Sequence, residues 1–573
     1  MDTKILLVAV NAKYIHPCPA VYSLSASCGH PESVEIAEFT INDRYQDILD
    51  EILEWEAALI GFSSYIWNTE ILLNLAADIR RVRRDAVILF AGGPEASYAP
   101  ERFLAVCDFV VCGEGEVPFN RIMDLAADVL EDHPSGMMGS PRSLAALKAE
   151  ILANVPGLVF RPGTYKGFRS DKANACENAD LDSIPFPYKD LAAFANRIIY
   201  YESSRGCPFR CTYCLSSIDK RVRFRSLDKV YEELQFFLDR EVPQVKFIDR
   251  TFNCSPDRAK AIWTFLKEHD NGITNFHFEI GADLLGEEEL ALLETLRPGQ
   301  VQLEIGIQST NPETLLAINR TANLPRLFEN IRHLRRANNM HLHVDLIAGL
   351  PYEGLRAFAK SFNDVYALHA DQLQLGFLKV LGGTVMQEKA AEYDIRYSQR
   401  PPYEVLSTKW LTYGELAMLR RIDDVLEYYY NSGQFRHALG YIEGYWESAF
   451  AFYRDLAGFF RQKGYDRERP AAARRYEVLA EFVESSCSAA GDRKGYGSIE
   501  GNGKILDGIA GNVKSRFDFA VFREYLRFDR DLHIHRSRRR KVVDEYDFGE
   551  GKVRLEIDYE HRDVITGEAG FNG

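Results

Sequence analysis

The sequence predicts an α/β protein of several domains: a doubly wound parallel sheet at the N-terminus, a partial barrel of six βα units in the centre, and a mostly helical C-terminal region. Three observations predict it. Short apolar, β-branched runs alternate with helical periodicity across 4–130, and the same alternation restarts across 196–385. Beyond about residue 400 the pattern gives way to long helical segments rich in aromatic residues. A chain of 573 residues with 46% hydrophobic content can bury several such cores.

In the first series, strands are expected at 5–10, 33–39, 57–63, 86–91 and 108–112, with helices at 19–27, 44–54, 69–84, 98–106 and 116–130 between them. Helices between successive strands require parallel pairing and cover both sheet faces. Ligands of such sheets sit beyond the carboxyl ends of the strands. The loops there are Asn11-Ala-Lys-Tyr14, Ser63-Ser64-Tyr65, Gly92-Gly93-Pro94-Glu95 and Gly113-Glu114-Gly115-Glu116, whose small residues let a large flat ligand approach the backbone. Neither GxGxxG nor GxxxxGK[ST] occurs, so a dinucleotide or nucleoside triphosphate is poorly supported.

Prolines and glycines punctuate 131–190, which reads as a linker containing a hairpin at 155–164. The second series places strands at 198–204, 244–249, 275–280, 301–306, 341–347 and 371–378, with helices at 227–240, 256–269, 287–297, 324–338 and 355–369. Helices are expected at 412–430 and 441–463, with Tyr445, Phe452 and Phe459 on one face as core contacts, and 491–511 reads as a polar loop. The expected domains are therefore 1–135, 136–192, 193–390 and 391–573.

The run Cys207-Pro-Phe-Arg-Cys211-Thr-Tyr-Cys214 follows the first strand of the second series. Three thiolates from one short loop leave a four-iron cluster with one iron open, and Cys176 and Cys254 stand well apart from the loop. A structural zinc site needs four ligands, commonly as two such pairs, and the chain has no second pair. A reactive metal at the carboxyl end of a strand is also where α/β folds place their sites.

A net charge of −15 and a pI near 5.5 argue against bulk electrostatic binding of nucleic acid. The basic stretch 536–541 reads as a solvated charge run, leaving a cluster- or zinc-containing nucleic-acid-binding protein as the alternative from another class. No apolar stretch approaches the ~20 residues that span a bilayer, and the N-terminus reads as a strand without a cleavage site. Ten cysteines make no disulfide framework, so the expectation is a reducing, oxygen-poor cytoplasm.

Cys207, Cys211 and Cys214, with Tyr213 before the last, resemble the radical S-adenosylmethionine (radical SAM) superfamily. The resemblance implies a 4Fe-4S cluster whose open iron chelates S-adenosylmethionine, an electron supplied by a partner such as flavodoxin or ferredoxin, and a 5′-deoxyadenosyl radical. Asp249 and Arg250 fall where that superfamily has a loop at the methionyl amine, and Glu279 looks like the ribose-binding acid. The run from Gly306 through Gln308 to Arg320 is similar to that of the oxygen-independent coproporphyrinogen oxidases, where the Gln and Arg contact nucleoside and carboxylate; Asp345 would sit beside the ribose. Taken singly, each is matched by a helix cap or a surface ion pair.

The N-terminal unit resembles the flavodoxin- or Rossmann-like cobalamin-binding domain fused ahead of many such enzymes, with a subgroup carrying an uncharacterised helical C-terminal domain. Tyr14, Ser63, Ser64, Gly92, Gly93, Glu95, Gly113 and Glu114 would then face cobalamin. The DxHxxG motif that supplies a lower axial histidine is absent, which implies base-off cobalamin with the lower cobalt face vacant or taken by water or a loop group; His16 could substitute, but a lone histidine is more often structural. Methylation of an unactivated carbon is the implied reaction, and ring rearrangement or oxidation without methyl transfer is the alternative.

Overall fold

The computed structural model describes residues 5–131, 141–161, 178–218, 221–491, 517–533, 541–549, 552–558 and 563–566. They form two compact units, one made of 1–304, 318–340 and 379–405 and the other of 305–317, 341–378 and 406–573.

The first unit opens with a sheet ordered β2-β1-β3-β4-β5-β6, where β1 is Ile5–Asn11, β2 Val34–Thr40, β3 Leu59–Ser63, β4 Ile88–Gly92, β5 Phe109–Val111 and β6 Leu158–Val159. β1 to β5 pair in parallel, with Val8 opposite Ala37 on one side and Phe62 on the other. Strands buried on both faces favour continuous apolar runs, and all seven residues of β1 are buried, six of them apolar and the last Asn11. Helices Pro19–Ser27 and Glu116–Glu131 cover one face, while Tyr45–Glu54 and Thr69–Arg83 cover the other.

Two local expectations change. The stretch read as a linker with a hairpin supplies helix Pro141–Asn154 and β6, which pairs antiparallel with β5; Leu144, Leu147 and Leu158 join the sheet's core. The apolar spacing of that stretch matches a helix face, but only the tertiary partner shows that it closes the sheet edge. The helix expected at 98–106 is two short ones, Pro94–Tyr98 and Pro100–Phe103, because each proline starts a helix and the residue before it has left the helical conformation.

The same unit contains β7 (Ile199–Tyr201), the short antiparallel pair β8 (Ser204–Arg205) and β9 (Arg223–Phe224), β10 (Gln244–Phe247), β11 (Asn275–Ile280) and the start of β12 (Val301–Gln308). β7, β10, β11 and β12 stand in chain order, with parallel pairing from β7 to β11. Helices Leu227–Asp239, Pro256–Glu268, Glu287–Glu294 and Leu324–Ala337 follow the strands, as expected of an open partial barrel.

In the second unit β12 ends, and β13 (His341–Ala348) pairs in parallel with β14 (Gln372–Phe377). Helix Tyr413–Tyr429 begins at a capping box of Thr412 and Glu415. The helix expected at 441–463 is two, Arg436–Ile442 and Ala449–Lys463, because the chain breaks around Gly444 and Ser448 caps the second. Tyr445 therefore lies in the break, while Phe452 and Phe459 share a buried face. The region ends in an antiparallel three-stranded sheet, 541–547, 552–558 and 563–566, which the helical reading missed. The loop at 492–511 and the basic residues 536–540 lie outside the described residues.

Candidate active site at the cysteine loop

The cysteine loop is held by its neighbours before any cofactor is considered. Gly206 has φ +101°, and a Cβ there would lie 2.1 Å from the Arg221 carbonyl oxygen, so the turn into Cys207 admits only glycine. The Thr212 N–H donates to the Ile318 carbonyl at 2.9 Å, and the Met386 N–H donates to the Thr212 carbonyl at 2.8 Å. The Asn319 amide donates to the Arg210 carbonyl at 3.0 Å. Cys207 and Cys211 are buried and Cys214 is partly buried, all as free thiols.

Arg320 reaches the second thiol: its Nη1 lies 3.9 Å from Cys211 Sγ. Burial pushes the Cys211 thiol up, and the Arg320 charge pulls against that shift by favouring the thiolate a metal requires. Cys207 Sγ lies 3.7 Å from the Thr251 hydroxyl in the loop after β10. Cys254, which the sequence sets apart, is close enough to feel the charge of Cys207; burial first and then that neighbour raise its thiol to about 11.

Asp249 is fastened within the protein itself. Its carboxylate is fully buried and accepts from the Ser203 N–H at 2.9 Å, the Ser203 hydroxyl at 2.7 Å and the Ser204 hydroxyl at 2.6 Å. Both oxygens are thus engaged in fastening the segment that leads into Cys207. Burial raises its pKa to about 6, and the three donors oppose the shift. Arg250 beside it is exposed. Asn253 ties this loop to the next through a reciprocal pair, donating to the Gly281 carbonyl and accepting from the Gly281 N–H, both at 2.9 Å. Glu279 stands half-buried near the end of β11.

In the second unit, Gln308 ends β12 with φ +72°, a left-handed conformation uncommon for a side chain of its size, and its Oε1 is buried without a partner among the described residues. Ser309 next to it donates to Glu353 at 2.6 Å. Asp345 lies on β13, with His343 Nε2 3.0 Å from its Oδ1.

At the N-terminal sheet a cavity of about 120 Å³ runs from the strand ends along the sheet face, lined by Leu24, Gly61, Ser63, Gly92, Gly113 and Glu116 among others. Its walls are small by necessity. A Cβ on Gly61 would meet the Phe90 ring at 2.3 Å, and one on Gly93, at φ +96°, would meet the Ser64 carbonyl at 2.6 Å. Ser64 is fully buried, and its hydroxyl has no partner among the described residues. A mostly apolar slot walled by small residues suits the edge of a flat ligand.

Four of the residues expected to face cobalamin make contacts within the protein. Glu95 is buried and accepts from the Tyr403 hydroxyl at 2.7 Å, and Glu114 pairs with Arg205 at 3.1 Å and also with Arg223. Tyr14 is 60% exposed beneath the Arg197 guanidinium, and the Ser63 hydroxyl lies 3.3 Å from Cys18 Sγ. His16 is fastened by Tyr200, whose hydroxyl lies 2.7 Å from its Nδ1, so the ring is engaged structurally. Carboxylates near arginines pair in a water-poor interface, an outcome that spacing along the chain does not reveal.

Residues 5–123 match the B12 binding domain family, 201–365 match the radical SAM superfamily, and 391–556 match a protein family of unknown function, DUF4080. The chain carries a cobalamin-binding domain ahead of a radical SAM domain. It is 24% identical to the cobalamin-dependent radical SAM methyltransferase TokK of Streptomyces tokunonensis over 389 residues, which cover 62% of this chain and 53% of that protein. The chain thus spans about half the length of the first curated relatives it matches. Its fold is that of the radical SAM methyltransferase TsrM from Kitasatospora setae, solved with cobalamin and a 4Fe-4S cluster (TM-score 0.53, 17% identity, 70% of this chain and 79% of that one). The cobalamin-dependent S-adenosylmethionine radical enzyme OxsB, solved with aqua-cobalamin, has the same fold (TM-score 0.58, 14% identity, 84% and 75%). Among the described residues no helix is long and apolar enough to cross a membrane.

Proposed function

We propose that the chain is a cobalamin-dependent radical SAM methyltransferase acting on an unactivated carbon. One observation carries the reading: a single compact unit holds a pinned loop of three thiols, with an arginine at the second, and a small-residue cavity at the edge of a doubly wound sheet. Cys207, Cys211 and Cys214 would ligate a 4Fe-4S cluster. Glu279, Gln308, Arg320 and Asp345 would serve S-adenosylmethionine, with Arg250 at the loop after β10. Ser63, Ser64, Gly92, Gly93 and Gly113 would line the seat of a base-off cobalamin. When bound, these groups supply a 5′-deoxyadenosyl radical and a methyl group for the substrate carbon.

The chain's own residues bind and orient. The Arg320 charge favours a thiolate at Cys211, and Asp249 fixes the approach to Cys207 through three hydrogen bonds. The Tyr403–Glu95 bond fastens the sheet's ligand edge to the segment 379–405, which also receives the cysteine loop through Met386. A flavodoxin- or ferredoxin-like reductant and an oxygen-poor cytoplasm complete the reading.

Anaerobic reconstitution tests it. The protein should bind four irons, retain cob(II)alamin through gel filtration with a base-off spectrum, and pass label from methyl-labelled S-adenosylmethionine to a product found by mass spectrometry in cell extract. A Cys207→Ala, Cys211→Ala, Cys214→Ala variant that still forms the cluster and cleaves S-adenosylmethionine would sink the reading. Release of 5′-deoxyadenosine with no label in any product would favour the non-methylating alternative.

A further inference from the structure

Arg205 stands two residues before the first cysteine, and its guanidinium is 20% exposed. It donates to both oxygens of Glu116, through Nη2 at 2.8 Å and Nη1 at 3.3 Å, and to both oxygens of Glu202, through Nη2 at 2.7 Å and Nε at 3.0 Å. Glu114 approaches at 3.1 Å and also takes Arg223, the residue opposite Arg205 in the β8–β9 pair. Three carboxylates thus converge on one arginine. Glu114 belongs to the loop after β5, and Glu116, which opens the following helix, is itself part of the wall of the 120 Å³ cavity.

That wall is stiff at both ends. Glu116 follows Gly115, where a Cβ would press on Leu24 at 3.0 Å, and the Glu116 carboxylate also accepts from the Ser23 hydroxyl at 3.2 Å. Burial would raise the Glu116 carboxyl, but the Arg205 guanidinium holds it below the usual carboxylate range, so the pair stays charged. On the other side Arg205 is followed by Gly206, which has no room to move against Arg221, and then by Cys207. From cavity wall to first cluster ligand the path is one bidentate ion pair and two residues of constrained backbone.

We propose that Arg205 is a positioning residue that couples the corrinoid cavity to the cluster loop, so that filling the cavity sets the placement of Cys207. The proposal rests on the reading of the two cofactor sites given above. A bidentate fork transmits displacement and direction, whereas a lysine in its place would keep the charge and lose the geometry. Coupling of this kind is reciprocal in binding: whatever factor the corrinoid imposes on affinity at the cluster, S-adenosylmethionine must impose on the corrinoid.

The experiment uses the full chain with its cluster reconstituted. Retention of hydroxocobalamin and iron content are measured first and separately; a wild-type chain with four irons that retains no corrinoid overturns the cavity reading and this proposal with it. The electron paramagnetic resonance spectrum of the reduced cluster is then recorded with and without corrinoid, and S-adenosylmethionine affinity is titrated in both states. In the wild type the spectrum is expected to shift, and the affinity to change by roughly fivefold or more. In Arg205→Lys, and independently in the shape-preserving Glu116→Gln, iron content should persist while shift and affinity change collapse toward none. A stabilising ion pair without a coupling role would lower the unfolding midpoint of these variants and leave the corrinoid-induced shift intact, which overturns the proposal. So does a wild type that retains corrinoid and shows neither change.

Discussion

Asp249 shows how a residue can be found by its position while its protein partners stay hidden. A carboxylate at a strand end was legible, but Ser203 and Ser204 come from a strand end about 45 residues earlier, and only folding brings them within hydrogen-bond reach. Its three donors define the consequence of removing it. Asp249→Ala leaves an N–H and two hydroxyls buried without an acceptor, at a cost of about 1–3 kcal/mol for each group, and it frees the segment entering Cys207. Reconstituted iron per chain should fall by more than half and the denaturant midpoint should drop, whereas Asp249→Asn, which keeps one acceptor, should lose less of both. Wild-type iron content in the alanine variant would return Asp249 to the ligand role its motif suggests. Gly206 makes the neighbouring prediction. At φ +101°, and 2.1 Å from the Arg221 carbonyl at its Cβ position, Gly206→Ala must displace the backbone; a loss of roughly 1–3 kcal/mol is expected, with weaker cluster retention on gel filtration.

At the scale of elements, strands were the legible part, since burial on two faces forces continuous apolar runs whatever their partners, and β1, β4 and β11 fall within two residues of their expected bounds. Helix breaks were not legible where a capping serine and one glycine interrupt an otherwise periodic run, as at 443–448. The loop after β13 was also silent, because nothing in its spacing marks Glu353 as buried. Its Oε1 accepts from Ser309 at 2.6 Å and Ser361 at 2.8 Å, and its Oε2 is buried without a partner among the described residues. Burial raises its pKa to about 7, with the two hydroxyls opposing the shift. A carboxyl raised in the folded state favours folding most when it is protonated in both states. Its contribution is therefore fullest below the ordinary value near 4.5 and is lost as pH rises through 7. A shift of this size corresponds to about 3 kcal/mol. Wild-type stability from chemical denaturation should decline across pH 4.5–7 with a component that Glu353→Gln removes. An unchanged slope in that variant would show that Glu353 is ionised throughout.

Across the whole first unit, the cysteine loop announced itself in the sequence because three ligands must come from one short segment. The cavity did not, because its wall is assembled from β1, β3, β4, β5 and two helices, and its glycines are spread through the chain. Gly61 was passed over for that reason, while Gly92, Gly113 and Gly115 were read in the loops at the strand ends, the first two as facing cobalamin. The two sites can be separated by substitution. Gly92 ends β4 with ordinary backbone, and a Cβ there would meet nothing closer than the Val111 carbonyl at 3.7 Å, so a β-branched side chain suits the strand and projects its methyls into the slot. Gly92→Val should bind iron like the wild type and unfold at a similar midpoint, while its retention of hydroxocobalamin on gel filtration falls at least tenfold. The cluster loop is fastened by Asp249, Ile318, Asn319 and Met386, none of which lines the cavity, and the Arg205–Glu116 link orients Cys207 without holding the iron, so iron content should persist. Wild-type corrinoid retention by Gly92→Val would mean that the ligand sits elsewhere on the sheet edge. Joint loss of iron and corrinoid at an unchanged unfolding midpoint would mean that the wall and the cysteine loop cannot be perturbed independently, with the Glu116–Arg205 link the shortest path between them.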